Sequence, residues 1–110
     1  MSNTDKQNNT HLHLITCIVQ RGKGDKVAKA AIDAGAGGAT LFFARGTGTR
    51  QRLGLLGLAI VPEKEIILIV CKEDISSNIF DAVKKAGEMD IPGMGIAYIT
   101  PILDIAGVFN

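Results

Sequence analysis

Leu12-His13-Leu14-Ile15-Thr16-Cys17-Ile18-Val19-Gln20 and, half a chain later, Glu65-Ile66-Ile67-Leu68-Ile69-Val70-Cys71-Lys72 are apolar runs of strand length, rich in β-branched residues. The same signals follow each of them. After the first, Gly22 and Gly24 interrupt the run and Asp25 offers a helix N-cap. Val27, Ala30, Ala31 and Ala34 then recur at helical spacing, and Gly35 supplies the stop. After the second, Asp74 offers the cap, Ile75, Ile79, Val83 and Ala86 share one face, and the helix ends near Gly87. Each helix leads to another short strand, Ala39 to Ala44 in the first half and Ile96 to Thr100 in the second. The order is β-α-β, a long loop, then β-α-β. With right-handed crossovers this predicts an α+β, ferredoxin-like sandwich, an antiparallel sheet with both helices on one side.

Composition supports one small globular unit. The chain has 110 residues, 46% hydrophobic and 21% charged, with a formal net charge of +1. Its mean hydropathy of +0.23 is too high for general disorder. With no Trp and one Tyr, the core must be aliphatic. Near-neutral charge argues against a nucleic-acid protein held by bulk electrostatics. No apolar run approaches the roughly 18 residues that a membrane-crossing helix needs, so the protein is not expected to be integral to a membrane. Residues 1–10 read as a disordered polar tail without the apolar region of a secretion signal, and residues 11–110 as the single domain. Cys17 and Cys71 make neither a disulfide framework nor a zinc knuckle, which suits a reducing, cytoplasmic setting.

Two helices can cover only one face of a four-stranded sheet. Leu12, Ile66, Leu68 and the uncharged side chains around the last strand leave the other face apolar as well. A bare apolar sheet face is an association surface, so the chain is expected to oligomerise with its sheets packed together.

Glycine is the other clue, with 13 in the chain. Three clusters lie at strand ends: Gly35-Ala36-Gly37-Gly38-Ala39-Thr40, Arg45-Gly46-Thr47-Gly48-Thr49-Arg50, and Gly93-Met94-Gly95. Glycines there either shape tight turns or let backbone N–H groups converge on an anion or a flat ligand. None is a Walker A loop and none completes a dinucleotide fingerprint.

In order and together, these clusters resemble the PII nitrogen-regulatory signalling family and its PII-like relatives. The resemblance spans about residues 12 to 103 and rests on the β-α-β-β-α-β order, Gly38-Ala39-Thr40 opening the second strand, Gly46-Thr47-Gly48 entering a long loop, and Gly93-Met94-Gly95 before the last strand. It implies a homotrimer that binds adenine nucleotides (ADP, ATP or AMP) in clefts between subunits. It also implies a long T-loop, here residues 46–62, that engages an unidentified protein partner such as a transporter or enzyme. By that similarity Gly38 and Thr40 would line the adenine pocket, Gly46, Gly48 and Arg50 the loop base near the phosphates, and Gly93 and Gly95 the B-loop across the cleft. No tightly held cofactor is implied.

The chain departs from the family at several of these places. The family's B-loop reads Gly-Asp-Gly-Lys; here Gly93-Met94-Gly95 is followed by Ile96. Residues 101–110 contain no Lys or Arg to match the family's C-terminal arginine pair, and Arg50 stands where the family has Gln. The only Tyr, Tyr98, lies in the last strand, which excludes uridylylation of a loop tyrosine. Arg45, Arg50 and Arg52 fall within eight residues, with no Asp or Glu between Asp33 and Glu63. Arginine suits bidentate phosphate contacts, so Arg45 and Arg52 are candidates to replace the missing basic groups; the alternative is that they are solvated loop charges. The loop is also apolar at Leu53, Leu55, Leu56 and Leu58. It either packs within the oligomer as a hairpin or docks into a partner.

The remaining reactive residues have plain readings. His11 and His13 point the same way from a strand and could hold a metal, but no Cys or carboxylate is near them in sequence, so an ordinary strand edge and no metal site are expected. The cysteines sit in apolar runs and read as buried, inert thiols. No nucleophile–base motif is present, so no catalytic residue is assigned and an enzyme is not expected. Two alternatives stand beside the sensor: a structural or interaction module of the same fold that has lost its nucleotide, and a protein resembling the metal-linked CutA group.

Overall fold

The computed structural model describes residues 11–45 and 63–107. The expected tail 1–10 and the long loop 46–62 lie outside them. Four strands and two helices follow the expected order: β1 (Leu12–Gln20), α1 (Gly24–Asp33), β2 (Thr40–Arg45), β3 (Glu63–Lys72), α2 (Glu73–Ala86) and β4 (Gly95–Pro101). The strands form one antiparallel sheet in the order β2-β3-β1-β4. The expected ferredoxin-like sandwich is the observed fold, with strand ends moved by one or two residues.

Strand alternation divides the sheet cleanly. Ile15, Cys17 and Val19 of β1 face the helices with Ile67, Ile69 and Cys71 of β3, and all six are buried. Val27 and Ala31 of α1 and Ile79 and Val83 of α2 close over them. The opposite face carries a row that crosses all four strands, Phe42, Ile66, Ile18 and Ile96. The next row is Thr40, Leu68, Thr16 and Tyr98. Phe42, Ile96 and Tyr98 are 42%, 58% and 45% exposed, so the bare apolar face is real. Leu12, assigned to that face from sequence, is buried, with its carbonyl accepting the Ile102 N–H at 3.0 Å.

The helix starts differ from expectation. Asp25 does not cap α1, which begins at Gly24 after Lys23 with no side-chain cap from the flanking residue. A residue of β3 does the work: Glu65 Oε1 accepts the Gly24 N–H at 2.6 Å and Oε2 accepts the Gly22 N–H at 2.9 Å. A carboxylate at that position meets both the orphan donors and the positive end of the helix. Gly22, at φ +90°, turns the chain between β1 and α1, and the turn is closed by the Lys23 N–H to the Gln20 carbonyl. Asp74 likewise does not cap α2, which starts one residue earlier, at Glu73, whose N–H is donated to the His11 carbonyl at 2.8 Å.

The helix ends follow the left-handed stop, with one substitution. Gly35, at φ +116°, donates to the Ile32 carbonyl and Ala36 to the Ala31 carbonyl, the paired bonds of a Schellman motif. In α2 the residue with positive φ is Glu88 (φ 53°), one position beyond Gly87. Its pairing with Lys26, at 3.9 Å and exposed, contributes little. Glu88→Gly is therefore expected to raise stability by about 1 kcal/mol, the cost of holding an L-residue left-handed, as read from urea unfolding at fixed protein concentration.

Candidate functional site

The segments singled out from sequence lie on the two outer strands. Gly38 and Thr40 lead into β2, Thr40 on the bare face opposite Leu68. Gly93 and Gly95 lead into β4, with Gly95 opposite Val19 of β1. Strands β3 and β1 lie between them, so three inter-strand spacings, roughly 14 Å, separate the two segments. One chain does not bring its own adenine-pocket and B-loop candidates together. Arg45 ends β2 at the loop mouth, while Gly46, Gly48, Arg50, Arg52, Leu53, Leu55, Leu56 and Leu58 lie outside the described residues.

The glycines separate by physical need. Gly95 has φ +155°, and a Cβ there would sit 2.6 Å from the Ile18 carbonyl oxygen; the fold itself demands glycine. Gly93, at φ +88°, is a turn glycine whose carbonyl accepts the Gln20 side-chain amide at 2.8 Å. Gly38 is different. It has no left-handed φ and, among the described residues, open space where a Cβ would be, so none of them requires glycine there.

The charge at the loop mouth is more balanced than the run of arginines suggested. Arg45 lies opposite Glu63 in the ladder, and Arg21 pairs with Glu63 at 2.8 Å. The buried Glu65 carboxylate lies in the next rung but one, turned to the α1 N-terminus. Glu63 and Glu65 thus stand against Arg21, Arg45 and Lys64, which leaves one positive charge in excess among the described residues there.

Three features were missed from sequence. Glu65, read as the start of an apolar strand, shares the helix-facing parity of Ile67, Ile69 and Cys71, and a charge in that series signals a buried partner. Gln20 ties the Gly93 turn to the end of β1. Glu73 lies between His11 and His13, so a carboxylate is close in space though absent from the neighbouring sequence. Among the described residues no three His, Cys, Asp or Glu side chains are already gathered as a bound ion would hold them.

Cys17 and Cys71 are buried and unbridged. Their register places them four residues apart along the ladder, about 13 Å, too far to join. Burial pushes the Cys17 thiol up to about 11 and raises that of Cys71 as well. Iodoacetamide at pH 8 is expected to leave both intact in the folded protein and to modify both in urea, as intact mass would show. Because burial keeps the native Cys17 thiol protonated, its contribution to stability is full below the ordinary value of 9.0 and is lost as pH rises from there through about 11.

A family model for the nitrogen regulatory protein P-II matches residues 12–108, nearly the whole described domain. The chain belongs to the P-II family. No curated protein sequence matches this P-II chain. Among solved structures it is similar to Arabidopsis thaliana PII bound to citrate, at 19% identity over 84% of this chain and 78% of that one, with a TM-score of 0.66. At that identity the likeness is one of fold. Among the described residues of this P-II chain no helix is long and apolar enough to cross a membrane.

Proposed function

We propose that this P-II protein is a cytoplasmic regulatory sensor, a homotrimer that binds an adenine nucleotide between subunits and signals through residues 46–62. One observation carries the reading: Gly38 and Thr40 stand at one edge of the sheet and Gly93 and Gly95 at the other, so a ligand using both needs two chains. The bare apolar face supplies a surface for bringing chains together. In this reading Arg45, Arg50 and Arg52 approach the phosphates, Gly46 and Gly48 shape the loop base, and Leu53, Leu55, Leu56 and Leu58 dock on a partner protein. The ligand acts by population shift, and a tenfold preference for one loop arrangement requires only about 1.4 kcal/mol.

Calorimetric titration with ADP, with and without magnesium, tests it. Micromolar binding supports the sensor, and Gly38→Ala is then expected to weaken binding at least tenfold without lowering thermal stability. No heat with ADP, ATP or AMP favours the second reading, an interaction module without nucleotide. Ile96 in place of the family's B-loop Lys and the absence of Lys and Arg from residues 101–110 favour that alternative.

A further inference from the structure

At the end of the sheet where β1 begins and α2 starts, four polar side chains meet. His13 Nδ1 lies 2.8 Å from Ser76 Oγ, and that hydroxyl donates its proton to the Glu73 carbonyl at 2.9 Å. A hydroxyl has one proton, so Oγ must accept from His13, and the imidazole proton sits on Nδ1. The lone pair of neutral His13 is then on Nε2, which faces Glu73 Oε2 at 3.7 Å. That distance is too long for a hydrogen bond, and the two facing atoms are both acceptors. The other carboxylate oxygen, Oε1, lies 3.5 Å from His11 Nδ1. Glu73 therefore lies between the two imidazoles, with the His13 lone pair turned toward it.

We infer that His11, His13 and Glu73 bind a divalent first-row transition ion of the zinc type. Zinc bonds of about 2.0–2.2 Å to nitrogen and oxygen put neighbouring tetrahedral ligands roughly 3.4 Å apart, and His13 Nε2 already lies 3.7 Å from Glu73 Oε2. Imidazole with carboxylate is the donor set that such ions take. A ligating histidine is normally oriented by a hydrogen bond from its other ring nitrogen, and the Ser76 hydroxyl supplies that bond to His13. The backbone is set as well: His13 pairs with Cys71 in the ladder, and the Glu73 N–H is donated to the His11 carbonyl. His13 and Glu73 are in place, and His11, 68% exposed, completes the set by a side-chain rotation. Asp74 adds a second negative charge in the same helical turn, and water fills the open position. Cys71, opposite His13 in the ladder, is not among the proposed ligands.

These are the only two histidines in the chain, so a histidine-type site can form nowhere else within it. Zinc is titrated calorimetrically into the purified full chain without nucleotide, and cobalt is used as a spectroscopic probe. The expected result is one ion per chain, with binding lost in His13→Ala and Glu73→Gln and weakened in His11→Ala. Ser76→Ala, which keeps every ligand, is expected to weaken binding about 10- to 100-fold. Far-UV circular dichroism of the metal-free variants checks that each is folded. Unchanged zinc affinity in His13→Ala or Glu73→Gln overturns the proposal, as does no binding to the unaltered chain at 100-fold excess zinc. A near-ultraviolet thiolate-to-cobalt band overturns the ligand set by bringing in Cys71.

Discussion

Glu65→Ala is expected to destabilise the domain by about 3 kcal/mol, the largest loss from any single polar change in the described residues. Glu65 is only 7% exposed, and its two oxygens accept separate backbone N–H groups, from Gly22 and Gly24. Hydrogen bonds to a charged acceptor contribute about 1.5–3 kcal/mol each in measured cases, and alanine leaves both donors unpaired at the start of α1. Glu65→Gln keeps one acceptor but turns an NH2 group toward a backbone donor, so it should recover part of the loss and no more. Gly24→Ala attacks the same contact from the other side, because a Cβ there would strike Glu65 Oε1 and the Leu41 side chain. The two changes share one contact, so their effects should fall short of additivity in a double-mutant cycle. Urea unfolding at fixed protein concentration reads all of these. A loss below about 0.5 kcal/mol for Glu65→Ala would mean that the carboxylate does not hold the turn.

If the chains associate through the bare sheet face, as proposed, Ile96→Asp is expected to leave monomers. Ile96 ends the apolar row Phe42, Ile66, Ile18 and Ile96 on the bare sheet face, and at 58% exposure it is wet in the single chain. In the lone subunit the substitution therefore falls in the range of ordinary surface changes, about 0.5 kcal/mol. If that row is buried between sheets, each subunit must bury an unpaired carboxylate at a cost of about 3–5 kcal/mol. At about 1.4 kcal/mol per factor of ten, association weakens more than 100-fold. Light scattering on a sizing column should show the mass fall to that of one chain, with the helical signal retained. Lys72→Asp, on the same parity at the far end of β3 and already exposed, serves as the control. A monomeric unaltered protein would remove the inter-subunit cleft and the sensor with it.

Much of the fold was legible because it is written in local periods. The alternation along β1 and β3 and the helical recurrence of Val27 with Ala31, and of Ile79 with Val83, require only near neighbours in sequence. Gly35 was legible for the same reason, since a left-handed stop depends on the turn it closes. The helix starts were not. Asp25 and Asp74 have the chemistry of caps, but the α1 donors are taken by a glutamate more than 40 residues away, and the Glu73 N–H by the His11 carbonyl on β1. A glutamate beginning an apolar strand gives no local sign that a helix end will come to it.

The candidate sites divide along the same line. That Gly93 and Gly95 form a turn into a strand was readable, and the φ values show why glycine stands there. Their separation from Gly38 and Thr40 by two strands follows only from the pairing order, which no local pattern encodes. His11 and His13 were visible as a pair on one side of a strand; the carboxylate between them was hidden because Glu73 belongs to a different element. By itself the sequence determined the kinds of element, their order and the two apolar faces of the sheet, since these depend on side-chain periodicity within about ten residues. Tertiary structure alone decided which ends meet, because strand pairing across β3 and β1 brings Glu65 to α1 and Glu73 to the histidines from distant parts of the chain.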